Sequence, residues 1–157
     1  MRQSDEHYLR IAIDLARRAR EHGNHPFGAL LVDHDGEILL TAENTVVAER
    51  DCTGHAETNL MRKASQHYSR ELLATCTLYT STEPCAMCSG AIYWGNVGRV
   101  VYALSETRLY KMMGSNPDNL ALALPCREVL ARGQPHVEVV GPMLEDEAAQ
   151  VHEGFWS

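Results

Sequence analysis

Two short motifs constrain the fold of this chain more than any other feature. They are His55-Ala56-Glu57 and Pro84-Cys85-Ala86-Met87-Cys88. Cysteines three residues apart on a helix lie about 60° round from each other, so both sulfur atoms can reach one ion. In the first helical turn, the helix dipole also favours their thiolate forms. We therefore predict that Cys85 and Cys88 bind a metal ion with His55 as the third ligand, and that the fold brings the two motifs together.

Glu57 indicates what such a metal ion does. Three protein ligands leave a zinc ion one open position for water, which is typical of a catalytic site. Glu57 is two residues from His55, about 200° around a helix, so the ion must lie beyond the helix start. The same residue falls on the apolar stripe of Leu60, Met61 and Ala64. A carboxylate directed inward is costly unless it has a partner or a task, and beside bound water it can transfer protons.

Two other uses of these cysteines compete with that prediction. Cys52 lies three residues before His55 and could complete a four-ligand structural zinc site. That alternative leaves the inward position of Glu57 unexplained. A thioredoxin-like redox pair at Cys85 and Cys88 needs neither His55 nor Glu57.

Length, charge and cysteine number favour an intracellular protein with a small substrate. The chain has 157 residues, and without repeats or linkers we predict one domain spanning residues 1–157. Five cysteines without an apolar leader argue against a disulfide framework, and we expect Cys76 and Cys126 to be buried. A cytoplasmic location is expected by default, with no membrane association. The net charge of −7 argues against nucleic acid as a partner and favours a small molecule.

Hydrophobic periodicity predicts an α/β domain. Ser4 should cap a first helix that ends near Gly23. Strands are predicted at 27–33, 37–44, 76–81, 99–104 and 137–140, and further helices at 55–68, 86–94, 105–113, 125–132 and from 144. Residues 45–54 are predicted to form a loop. The alternation indicates a layered domain with helices on both faces of one sheet.

The two motifs resemble the zinc-site signature of the cytidine-deaminase-like superfamily, and the likeness runs from about residue 26 to 103. Within it, the stretches PFGA (26–29) and EPCAMCSGAIYW (83–94) are most similar to bacterial guanine deaminases. The resemblance implies the three-layer fold of that superfamily, with a central mixed five-stranded sheet and helices on both faces. It also implies a homodimer with one Zn²⁺ per subunit.

The resemblance further implies hydrolytic deamination of a nucleobase through zinc-bound hydroxide, with guanine converted to xanthine and ammonia as the first expectation. Cytosine or nucleoside deamination is the alternative, followed by tRNA adenosine deamination. A structural-zinc binding module is the alternative outside enzymes. Glu57 would be the catalytic proton shuttle, and His55, Cys85 and Cys88 would hold the zinc.

Substrate contacts also follow from the resemblance. The Ala56 backbone N–H would bind the substrate, and Asn44 would orient it, with a strand-end turn as the local alternative for Asn44. Phe27 would stack on the base or belong to the core. Phe155 and Trp156 end the chain and are predicted either to close over the site as a lid or to dock on the core.

The segment 105–124 is where related enzymes differ in substrate recognition. Glu106 and Asp118 in this segment could accept N–H donors from guanine. The pattern favours surface acids at both positions.

Overall fold

A single twisted sheet organises the chain, and the computed structural model describes residues 2–157 of it. The strands are β1 (Gly28–Val32), β2 (Ile38–Glu43), β3 (Thr77–Thr82), β4 (Arg99–Leu104) and β5 (Glu138–Val140). Their order is β2-β1-β3-β4-β5. β1 pairs antiparallel with β2 and β3, whereas β3–β4 and β4–β5 are parallel. The predicted mixed five-stranded sheet is confirmed.

Helices cover both faces of this sheet. They are α1 (Asp5–Glu21), α2 (Val46–Glu49), α3 (Ala56–His67), α4 (Arg70–Leu73), α5 (Ala86–Trp94), α6 (Glu106–Met113), α7 (Cys126–Ala131) and α8 (Glu145–Gln150). One apolar cluster joins α1 and α8 to the sheet, and a second joins α3 and α5 to its other face. The three-layer arrangement is therefore confirmed. The predicted loop at 45–54 was wrong in part, because it contains α2, and α4 was not predicted.

Local chemistry explains how α1 begins and how closely it packs. The Ser4 hydroxyl accepts a hydrogen bond from the His7 N–H, so the predicted cap is present. The helix ends at Glu21, just before Gly23. At Gly28 a Cβ atom would lie 2.5 Å from the Cβ of Leu15, so only glycine lets α1 approach β1 this closely.

The carboxyl ends of the parallel strands β3 and β4 lie side by side. Thr82 pairs with Leu104 at the last register position, α5 follows β3, and α6 follows β4. Ligand sites of open α/β sheets form at this edge, outside the carboxyl ends of the strands. Within residues 2–157, none of the helices has the length and apolar character needed to cross a membrane.

Candidate active site

The three predicted metal ligands meet at two helix starts. His55 is the N-cap of α3 and Cys85 is the N-cap of α5, with Cys88 in the first turn of α5. The Nδ1 atom of His55 lies 3.5 Å from the Sγ atom of Cys85 and 3.5 Å from that of Cys88. A tetrahedral zinc ion with Zn–N of about 2.0 Å and Zn–S of about 2.3 Å separates its N and S ligands by about 3.5 Å. The three side chains therefore fit zinc through Nδ1 of the histidine.

The electrostatics of the two thiols also suit a divalent cation. The pKa of Cys85 is lowered to about 4, first by its hydrogen bond with Cys88 and then by the bond with His55. The Cys85 thiolate and burial raise the pKa of Cys88 well above its ordinary value. The site thus supplies one thiolate readily, and a cation is needed to hold the second.

Cys52 does not join this cluster. It is exposed, and the group of possible metal ligands found within residues 2–157 consists of His55, Cys85 and Cys88 alone. The four-ligand structural site considered from the sequence is therefore absent from the described part of the chain. Cys76 and Cys126 are buried, as predicted.

Glu57 lies in the first turn of α3 and is only 5% exposed. Burial and then the nearby Cys85 raise the pKa of its carboxyl to about 7, while His55 and a contact with Thr80 act in the opposite direction. A carboxyl group whose pKa is near neutrality can accept a proton and give it back. The Glu57 side chain therefore points inward, as the apolar stripe of α3 predicted.

Asn44 and Ala56 lie on the segments that lead into α2 and α3. Asn44 is 1% exposed, and its Oδ1 accepts a hydrogen bond from the Val46 N–H, which is the local turn role considered above. Ala56 is the first residue of α3, where backbone N–H groups have no partner within the helix. The side chain of His55 does not cap this helix, so it leaves those N–H groups to other acceptors.

The C-terminal residues pack against other parts of the same chain. The Trp156 indole N–H donates to Nδ1 of His152 at 3.0 Å, and the two rings stack with an interplanar angle of 13°. The guanidinium of Arg20 lies 5.4 Å from the ring centre of Phe155 and donates hydrogen bonds to backbone carbonyls of residues 151 and 153. Several contacts therefore hold the terminus in place.

The aromatic residues of the terminus contact His25 and Phe27. The His25 ring centre lies 5.7 Å from that of Phe155 and 5.8 Å from that of Trp156. Burial and then the nearby His55 lower the pKa of His25. Phe27 packs against Trp156 and against both apolar clusters, so it has the core contacts that were its alternative role. His25 was not predicted, because a lone histidine before a proline carries no motif.

Glu83, the residue before the Pro-Cys motif, has a structural role that the sequence did not reveal. Its Oε1 accepts a hydrogen bond from the Glu106 N–H at 3.1 Å, and its Oε2 accepts one from the Cys126 N–H at 3.1 Å. One carboxylate thus binds the first N–H groups of both α6 and α7.

Glu106 and Asp118, both predicted as surface acids, differ in the structure. Asp118 is exposed, but Glu106 is 5% exposed, so the prediction for Glu106 was wrong. The reason is the packing of α6, which turns the first residue of this helix towards the carboxyl edge of the sheet rather than towards water.

Comparison with known proteins agrees with this geometry. Residues 2–104 match the family model of the cytidine and deoxycytidylate deaminase zinc-binding region. A probable cytosine deaminase of Schizosaccharomyces pombe is 42% identical over 154 residues, covering 98% of this chain and 93% of the relative. A guanine deaminase of Bacillus subtilis is 43% identical over 103 residues, covering 65% of each. Among solved structures, a tRNA:A34 deaminase matches with a TM-score of 0.72 and 28% identity, covering 93% of this chain and 99% of that one.

The family match spans both motifs, and the ligands that it requires are those that converge in the structure. The chain therefore belongs to the cytidine and deoxycytidylate deaminase family and is a zinc-dependent deaminase.

Proposed function

We propose that this protein hydrolyses cytosine, as the free base, to uracil and ammonia. The observation that carries the chemistry is the buried Glu57 carboxyl beside three converging zinc ligands. His55, Cys85 and Cys88 would hold the ion, which would lower the pKa of a bound water molecule.

Glu57 carries the proton transfers in this proposal. It accepts a proton from the attacking water and delivers it to ring atom N3 as the water oxygen bonds to C4. It then passes the second proton of the water to the exocyclic amine, and the C4–N bond breaks. The amine leaves as ammonia, the oxygen stays on C4 as the carbonyl of uracil, and Glu57 ends as it began.

The extent of the similarity to relatives supports cytosine over guanine. The residues after β4 carry Glu106 and the docked terminus, and they border the site. The match to the probable cytosine deaminase covers 98% of the chain and so includes nearly all of this part, whereas the match to the guanine deaminase covers 65% of the chain. Guanine stays the second candidate, because that shorter match has a similar identity, 43% against 42%, and the stretches at 26–29 and 83–94 favour it.

Five residues are proposed to contact the base. The Ala56 N–H donates to an acceptor of the base such as the carbonyl oxygen O2, and Asn44 offers its amide nitrogen, which its turn with Val46 does not use. Phe27, Phe155 and Trp156 supply the aromatic wall on the His25 side.

A substrate panel tests this proposal. Purified zinc-loaded protein should release ammonia from cytosine faster than from guanine, guanosine, cytidine, adenine or a tRNA anticodon stem-loop, as measured by a coupled ammonia assay. Turnover of guanine alone would replace cytosine with guanine and keep the chemistry. Release from none of them, with zinc bound, would contradict nucleobase deamination.

Deleting residues 155–157 should raise KM for the base roughly tenfold while zinc content stays at one ion per chain. The deletion removes the aromatic wall beside His25, and an aromatic contact of about 1.4 kcal/mol corresponds to that factor. Steady-state kinetics with zinc analysis measures both quantities. The matched control is Ser157→Ala, which keeps both aromatic rings, and unchanged kinetics in the deletion variant would rule out a lid.

We also propose that the protein is a homodimer. Trp94 at the end of α5 is 75% exposed and lines a groove between α3 and α5 with Met61 and Ala91. A large exposed apolar side chain on such a groove is typical of a contact surface. Sedimentation at micromolar concentration should give the mass of two chains. Trp94→Glu places a charge on the apolar contact surface and should lower the measured mass to that of one chain.

A further inference from the structure

The side chain of Glu106 is in an unusual position for an acid at a helix start. Acids in the first helical turn normally face water, where they interact with the helix dipole. Glu106 is instead 95% buried, and its Oε2 atom has no hydrogen-bond partner among residues 2–157. Buried polar atoms are nearly always paired, so an unpaired carboxyl oxygen requires an explanation.

The position of Glu106 is tied to the metal cluster. The Glu83 N–H donates to the Leu104 carbonyl at 2.7 Å, and the Glu83 carboxylate accepts from the Glu106 N–H. Cys85 follows Glu83 by two residues, just as Glu106 follows Leu104. Cys85 and Glu106 therefore lie at the same edge of the sheet, at the carboxyl ends of the neighbouring parallel strands β3 and β4.

The surroundings of Glu106 exclude a structural ion pair. Burial, then Glu83, Cys85 and Glu128, raise the pKa of its carboxyl to about 7, and every charged neighbour that contributes is an anion. Arg108, on the same helix, pairs with Asp146 at 2.9 Å instead. The unpaired oxygen is therefore left for a partner that is not part of the described chain.

We propose that Glu106 is a specificity-determining residue whose Oε2 accepts a hydrogen bond from the ring N–H of the substrate base, which selects free bases over nucleosides. This inference rests on the proposed function. Cytosine has two N–H groups, the exocyclic amine and N1–H. The amine must face the zinc and Glu57 for attack at C4, which leaves N1–H as the donor. N1 is also the atom that carries the sugar in cytidine, so a nucleoside offers Glu106 no proton.

The test compares cytosine with 1-methylcytosine, which lacks the N1–H. The wild-type protein should prefer cytosine by about 100-fold or more in kcat/KM. Glu106→Ala should lose about 100-fold towards cytosine and change little towards 1-methylcytosine, so the preference disappears. Zinc content should stay at one ion per chain. Asp118→Asn is the matched control, an exposed acid in the same segment, and should keep the wild-type preference.

A second readout is independent of turnover. In calorimetry, cytosine should bind the zinc-loaded Glu57→Gln protein about 100-fold more tightly than the Glu57→Gln/Glu106→Ala protein. Glu106→Met, which is similar in volume but has no oxygen acceptor, replaces the alanine variant in both experiments if the latter does not fold. Equal losses towards cytosine and 1-methylcytosine, or unchanged binding, would overturn the inference. If the wild-type protein acts on another base instead, the proposed function fails. The role of Glu106 is then tested by comparing kcat/KM for that base with kcat/KM for its ring-N-methyl derivative.

Discussion

Glu57→Gln is expected to lower kcat for deamination by about 1,000-fold or more, with zinc still bound at one ion per chain. Glutamine keeps the size of the side chain but cannot accept a proton from water, and proton transfer by a positioned group contributes about 100- to 10,000-fold. Glu57 is the acid buried in the first turn of α3 beside the ligands, so no neighbouring carboxyl of that helix can replace it. Steady-state ammonia release and metal analysis on the same sample measure the two quantities.

The matched control for this variant is Glu71→Gln, which removes an exposed acid from α4 and should leave kcat at the wild-type value. A Glu57→Gln protein that deaminates at the wild-type rate would show that another group transfers the proton. A variant that loses zinc together with activity would show that Glu57 acts through the metal site instead.

Cys88→Ser is expected to remove zinc and with it all measurable activity. The Cys88 sulfur is buried, and a serine hydroxyl is both shorter and a far poorer zinc ligand than a thiolate. Loss of even an outer-shell partner lowers metal affinity about 10- to 100-fold, so loss of a ligand should exceed the upper value. Zinc retained after dialysis against a chelator measures the effect, and thermal unfolding shows how far the fold depends on the ion.

Cys52→Ser serves as the control for the cysteine variant. Cys52 is exposed and lies outside the ligand cluster, so this protein should keep both zinc and activity. Zinc loss in Cys52→Ser would instead support a four-ligand structural site and would contradict a catalytic zinc.

The regular elements could be predicted because their patterns are local. The bounds predicted for α5 and β4, 86–94 and 99–104, are those observed. The helices α2 and α4 were missed because four residues are too few to show a helical period, and such short turns depend on tertiary contacts. Asn44 accepts a hydrogen bond from the first N–H group of α2, but an asparagine at this position is typical of any turn and does not predict a helix.

The metal ligands could be predicted from spacing, and the residues on the strand-end side of the site could not. His55, Cys85 and Cys88 belong to motifs in which each position has a chemical reason. Glu106 reads as an ordinary helix-start acid, and its inward direction depends on how α6 packs on the sheet. Glu83 contacts N–H groups of two helices that begin far along the chain, and no local pattern encodes such contacts.

The double contact of Glu83 has a consequence for how this enzyme can change over evolutionary time. Oε1 of Glu83 binds the N–H of residue 106, and Oε2 binds the N–H of residue 126. The stretch between these two residues is therefore an insert whose two ends are hydrogen-bonded to one side chain. All three zinc ligands and Glu57 lie before that insert in the sequence. Mutation and selection can therefore change the length and sequence of residues 107–125 while the hydrolytic machinery is inherited unchanged.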